Sequence, residues 1–372
     1  MTEYRECRPE EMPACIEMAN LAFNHLSFVD LIPKAYGKNA ASRVVHFGAF
    51  DDGKPIALVG VLRNTLFVGD TPLEYGFIGT VCVHPDARLA GHMRTLVPMS
   101  MDFMRRDGCD LAILDGNRHR YAHFGFSPAG QLMNYHFEPS AKKHAFKDYP
   151  NKNVEFVPFA REHVEAAYRL YAKQPMRALR TVDDFYDVLT SYGQVPFAIY
   201  IEGKFAGYAD CFTDKLDAFS EFILEDAQEA VNVIAAWMKL RNLSNFAVHV
   251  HACDLAMHNI LPRFANHSTV RPKNMVVLYD VPKVLTAFLK LKASLFPVAD
   301  GELHFSIDGT SYCMEKRGSD IRTFASPAAP EQAEIAVEDV GLSFFAPTAP
   351  YSLRAPAGWL PLPFSMFCAD DF

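Results

Sequence analysis

The stretch Val81-Cys82-Val83-His84-Pro85-Asp86-Ala87-Arg88-Leu89-Ala90-Gly91-His92-Met93 constrains this chain most, because an alternating strand runs through a proline turn directly into a helix. Val81 and Val83 share one face of the strand, Pro85 and Asp86 break it, and Gly91 stands where the helix begins. A helix start carries amides without intrahelical partners and the positive end of the helix dipole. The backbone from Leu89 to Arg94 therefore forms a cradle suited to a pyrophosphate. Glycine at position 91 lets phosphate and backbone approach closely. A glycine after a proline loop also starts ordinary helices, so a second signal is needed to give the cradle a function.

That signal lies downstream, at the distance of one helix and the next strand: Leu111-Ala-Ile-Leu-Asp-Gly-Asn117, then Tyr121-Ala-His-Phe-Gly-Phe126. Together the segments resemble the GNAT superfamily of N-acetyltransferases, with V-x-V-x-P-x-x-[RQ]-x-x-G-x-[GA] in the first and Y-x-x-[FL]-G-F in the second. The resemblance implies acetyl-CoA as co-substrate. Its pantetheine and thioester oxygen would meet the backbone of Val81, Cys82 and Val83, and its pyrophosphate the turn Arg88, Leu89, Ala90, Gly91, His92, Met93 and Arg94. Gly116 and Asn117 would contact it at the end of the following strand. Met93 departs from the pattern, since the family has a small residue there.

Composition narrows the partners. The chain has 372 residues, too many for one ordinary core, and a formal charge of −8 from 36 Lys and Arg against 44 Asp and Glu. That balance argues against a nucleic-acid backbone and is compatible with a cationic amine. Eight scattered cysteines without C-x-x-C spacing read as reduced thiols of a cytoplasmic protein. No stretch is apolar enough to span or signal to a membrane.

Along the chain, residues 1–140 alternate strands and helices: a strand at 4–8, a helix at 11–23, a hairpin of 44–50 and 55–63 turned by Asp52-Gly53, a strand at 73–83, a helix after Gly91, a strand at 111–115 and a closing strand at 130–137. Pro98 predicts a kink in the helix after Gly91. A polar linker at 140–153 follows, and the rhythm begins again through 280 without the cradle. After Asp280 come one helix, 281–295, and short alternating strands, an α+β pattern. The tail, residues 359–372, is rich in aromatics and proline up to its end, which predicts a tail packed in a groove. In this order the segments resemble the Eis (enhanced intracellular survival) type acetyltransferases. That resemblance implies an α/β (α+β) fold of a catalytic GNAT domain (1–140), a degenerate GNAT-like domain (141–280) and a sterol-carrier-protein-like domain (281–372). It further implies a homo-oligomer, a hexamer in that type, and amine substrates such as aminoglycosides or polyamines.

Acetyl transfer requires an anchored cofactor, a polarised carbonyl, a base for the amine and an acid for the leaving thiolate. Tyr121 is the expected general acid, because a phenol and a thiol have similar proton affinities. No carboxylate precedes the V-x-V closely, Glu74 being the nearest. Eis-type enzymes use their own C-terminal carboxylate, which places the base at Phe372. Phe28, Phe364 or Phe367 are expected to wall the acceptor pocket, with Asp30, Asp370 or Asp371 attracting the amine. No metal is expected, although His249, His251, Cys253 and His258 have the alternation of a ligand set. Two other functions share these features: a GNAT-derived protein that binds a small molecule or lipid without catalysis, and a peptide or protein N-acyltransferase.

Overall fold

The computed structural model describes residues 1–24, 27–37, 43–212, 215–326 and 333–372, and among these the chain divides into two compact units. The first unit comprises residues 1–130, 272–362 and 371–372; the second comprises 131–271 and 363–370.

The amino-terminal part of the first unit follows the expected order: β1 (Glu3–Glu6), α1 (Met12–Phe23), the single turns α2 (Phe28–Leu31) and α3 (Pro33–Tyr36), β2 (Val44–Asp51), β3 (Lys54–Val68), β4 (Thr71–Val83), α4 (His92–Arg106), β5 (Leu111–Leu114), α5 (Arg118–Tyr121) and β6 (Ser127–Ala129). Asp52 at φ 46° and Gly53 at φ 76° make the tight turn between β2 and β3, as two positive φ values in succession require. α4 runs on through Pro98 as one helix of 15 residues and ends at Arg105-Arg106, cations that complement the dipole. Met104 packs so closely on Gly76 of β4 that any Cβ at position 76 would strike its sulfur. The strand order is β1-β2-β3-β4-β5, then the strand Asn274–Leu278, then β6, antiparallel except for β4 with β5.

Two strands differ from the sequence expectation. The strand Leu132–Phe137, expected to close the first domain, pairs instead with Phe246–Val250 and His267–Arg271 in the second unit. Its place in the first sheet is taken by Asn274–Leu278, which pairs with both β5 and β6. Both segments are apolar strands of similar length, and no local preference decides which sheet receives which. The second unit is thus an insertion within a hairpin of the first. The segment 140–153 is also more than a linker: a helical turn, Ala141–Ala145, leads to Phe146, buried against Phe137.

The remainder of the first unit is a four-stranded sheet in the order Asp320–Ala325, Thr310–Arg317, Gly301–Ile307, Glu334–Ile335, with the helix Val281–Leu295 against its edge strand. The last strand of this sheet is only Glu334–Ile335, because a turn at Val337–Asp339 follows it.

The second unit repeats the first in outline: a helix Val164–Tyr171, a hairpin of Gln194–Ile201 and Lys204–Phe212, then Ala218–Leu224, the helix Ala230–Leu240 and Phe246–Val250. Here too a helix joins two parallel strands, paired only at Ala218↔Ala247 and Phe219↔Val248 before they diverge. The divergence is occupied by the chain itself. His251, just past one strand, bonds Ser365 O through Nε2 at 2.7 Å, while Phe367 and Ala369 join the core cluster that holds Ile223 of the other. Fully buried Arg180 pairs with Glu221 at 2.9 Å and with Asp370 at 2.8 Å.

Candidate functional site

The site begins where β4 loses a neighbour. Its parallel ladder with β5 runs from Tyr75↔Leu111 to Ile78↔Leu114 and ends there. On the β3 side Leu58 faces Cys82 and Gly60 faces Gly79, so β4 carries one residue more than β3 over this stretch. The extra residue is a bulge at Thr80, whose φ of 49° bends the strand away from β5. Past Ile78 the backbone of β4 has no β5 partner, while Cys82 and Val83 stay paired with β3.

Next to it opens a cleft of about 1230 Å³, lined by Val81, Cys82 and Val83 of β4 and by Arg88, Leu89, Ala90, Gly91, His92, Met93 and Arg94. Leu89 at φ 71° and Gly91 at φ 81° curl the loop so that Gly91 begins α4, and no side chain caps that helix start. Uncapped amides at the positive end of a 15-residue helix favour an anion. Arg88 donates to Ala22 O at 3.3 Å, which ties the loop to the end of α1. The His92 imidazole is buried and bonds the Tyr4 hydroxyl at 2.9 Å, so this residue offers the cleft its backbone. The Met93 side chain is half-buried along the wall. His119, Arg120 and His123, from the turn after β5, complete the lining and add cationic or cationisable groups.

Gly116, Asn117 and Tyr121 follow β5 in the chain and are not among the residues that line the cleft. The Asn117 side chain accepts from Arg120 N at 3.3 Å and caps α5, and Gly116, at φ 155°, lies under the Tyr121 ring, 2.9 Å from where a Cβ would be. Tyr121 is buried edge-on to Phe126 with ring centroids 6.4 Å apart. Burial pushes its phenol pKa up, which keeps the proton on oxygen at neutral pH.

Phe372 is 6% exposed, and its terminal carboxyl lies on Gly79, where a Cβ would collide with the carboxyl carbon and oxygen. Its ring covers Gly60, with two ring carbons 3.0 Å from a Cβ there, and faces the Tyr36 ring at 6.3 Å. Tyr36 in turn bonds Thr80 Oγ1 at 2.5 Å and His46 Nε2 at 3.0 Å. Burial lowers the His46 pKa to about 4, so the ring is neutral across the working range. This triad was not expected from the sequence. The two glycines were the available signal, since glycine inside a strand marks close approach of another group.

Other expected residues fall elsewhere. Glu74 is exposed and accepts from Thr65 Oγ1 at 3.0 Å. Asp370 is paired with Arg180 and Asp371 with Lys273, so neither offers an unengaged charge to an amine. Phe364 and Phe367 are buried in the second unit, and Phe28 is buried in the first, edge-on to Tyr36 at 5.5 Å. His251 and His258 use their ring nitrogens on Ser365 O, the Cys253 amide, Tyr135 and a backbone carbonyl. Among the described residues, Glu302, His304 and Cys313 do bring ligand atoms within 4.8 Å of one another, but Glu302 is held by Arg317 at 2.6 Å. No helix among the described residues is long and apolar enough to cross a membrane.

Residues 3–129 match the family model of the acetyltransferase (GNAT) domain. Over the whole chain the fold is similar to that of a GCN5-related N-acetyltransferase from Kribbella flavida, at 14% identity and a TM-score of 0.71, covering 100% of this chain and 99% of that one. It is likewise similar to Eis1 from Mycobacterium abscessus, at 14% identity and a TM-score of 0.67 over 100% of both chains. No curated protein matches the sequence.

Proposed function

We propose, on the premise that residues 3–129 form a GNAT acetyltransferase domain, that this chain transfers the acetyl group of acetyl-CoA to a primary amine, with the carboxylate of its own last residue as the base. The observation that carries this reading is the Phe372 carboxyl lying on Gly79, at the bulge where β4 leaves β5. A base is effective only within hydrogen-bond reach of the proton it takes, and this one stands beside the backbone that would receive a thioester.

The cleft supports the cofactor half of the reading. The uncapped start of α4 with Arg88, Arg94 and Arg120 suits the phosphates of acetyl-CoA, and the open amides after Gly79 suit the pantetheine and the thioester oxygen. The amine attacks the acetyl carbon, its proton passes to the Phe372 carboxylate directly or through water, and the tetrahedral intermediate collapses with loss of the thiolate. Tyr121, protonated at neutral pH, supplies the proton to sulfur. Aminoglycosides and polyamines are the amine classes to test first. Homo-oligomeric assembly is part of the same reading.

Extending the chain by one residue after Phe372 moves the carboxylate off Gly79 and buries an amide in its place. Thiol release from acetyl-CoA with an accepted amine should then be lost, while acetyl-CoA binding measured by calorimetry stays within about twofold. Normal turnover of the extended chain would remove Phe372 from the mechanism. Tyr121→Phe should lower kcat by roughly 100-fold with the same binding.

A further inference from the structure

The last two residues are fixed by more than the slot that takes the Phe372 ring. Asp371 lies against two side chains at the entry of the strand Asn274–Leu278. Lys273 Nζ stands 2.8 Å from Oδ1 and 2.7 Å from Oδ2, and Asn274 Nδ2 donates to Oδ1 at 3.2 Å. The lysine side chain is 8% exposed and the aspartate side chain 18% exposed, so water and salt screen the pair little. The clamp has a rigid base. Lys273 N bonds Ala129 O at 3.0 Å, and Asn274, itself 1% exposed, pairs with Ala129 in the sheet.

We propose that Lys273, with Asn274, is a positioning residue that sets where the C-terminal carboxylate stands by holding the residue before it. A chain end has one covalent neighbour, and terminal residues fray unless they are tied down. A base at such an end therefore needs an anchor that an internal residue would not. Three contacts provide it: Gly60 and Tyr36 fix the Phe372 ring, Gly79 receives the carboxyl, and the Lys273 clamp fixes the preceding Cα. Asn274 opens the strand that enters the first sheet after the inserted unit, and Lys273 immediately precedes it. The inference rests on the reading of Phe372 as base for its kinetic consequence; its structural consequence is independent of that reading.

The test uses the full chain with Lys273→Met, which keeps the length of the side chain and removes its charge, and with Lys273→Arg, which restores a donor. Asp371→Asn is a second variant that breaks the ion pair from the other side. Two readouts are taken: release of the terminal phenylalanine by carboxypeptidase A, and steady-state acetyl transfer to an accepted amine. In Lys273→Met and Asp371→Asn, phenylalanine release should rise and kcat should fall by roughly 10- to 100-fold, with KM for acetyl-CoA within about twofold. Lys273→Arg should recover most of both. Wild-type phenylalanine release together with wild-type kcat in both charge-removing variants would overturn the clamp. Faster phenylalanine release at unchanged kcat would keep the clamp as a tether and overturn Phe372 as the base. A wild-type chain that transfers acetyl to no amine would sink the proposed reaction, while the phenylalanine-release arm would still decide whether Lys273 holds the tail.

Discussion

At the scale of single residues, two side-chain-free positions and one buried carboxylic acid carry most of the consequence. Gly79 and Gly60 leave the space that the carboxyl and ring of Phe372 fill. Gly79→Ala puts a methyl group into that carboxyl, so the tail should be displaced, kcat should drop by roughly 100-fold and acetyl-CoA affinity should hold, as read by kinetics beside calorimetry. Asp210 shows a different economy. It is fully buried, and burial first, Glu221 second, push its carboxyl well above the usual carboxylate range, so it folds as the neutral acid. In the unfolded chain the same group ionises near about pH 3.9. Between that pH and its raised folded pKa the native state holds one proton more, so Asp210 costs stability as pH rises, about 1.4 kcal/mol per pH unit. Asp210→Asn removes that term, and its melting temperature should exceed that of the wild type by a margin that widens as pH rises above about 4.

At the scale of elements, sequence legibility followed how local the cause was. The Asp52-Gly53 turn, the α4 start at Gly91 and the helix Val281–Leu295 depend on residues within a few positions of one another, and each was readable. The strand Ala218–Leu224 is hard to read from the sequence, because Asp217 and the phenylalanines around it carry no clean alternation. α4 carries Pro98 inside one helix of 15 residues, whose Met104 packs on Gly76 of β4. The candidate site divides in the same way. The V-x-V and cradle residues wall one cleft as a contiguous motif would. The Tyr36–His46–Thr80 bonds join residues 10 and 44 positions apart, and only the sheet brings them together. A packed, aromatic tail was legible as such. That its two aspartates are both spent on ion pairs, one with Arg180 and one with Lys273, depends on partners 190 and 98 positions away.

At the scale of the whole molecule, the exchange of two strands decides what can fold alone. A cut at residue 140, the boundary that periodicity and the polar stretch indicate, keeps Leu132–Phe137 and omits Asn274–Leu278. The first sheet then lacks the strand that pairs with both β5 and β6, and β5, apolar and fully buried in the intact chain, becomes an open edge. Residues 1–140 should therefore aggregate and bind no acetyl-CoA. The ladder also shows the better cut. Ala129 pairs with Asn274, so residues 130 and 272 lie across one hairpin end, and Asn-Gly in place of 131–271 makes a short turn there. A chain of 1–130, Asn-Gly and 272–362 keeps both sheets of the first unit and the cradle. Of the two chains only this one should melt cooperatively and bind acetyl-CoA, detected by circular dichroism and calorimetry. Without residues 363–372 it should release no thiol, which separates cofactor binding, a property of the cradle and β4, from turnover, which requires the carboxylate of the last residue. Cooperative folding of residues 1–140, with acetyl-CoA bound, would show that the strand Asn274–Leu278 is dispensable to the first sheet.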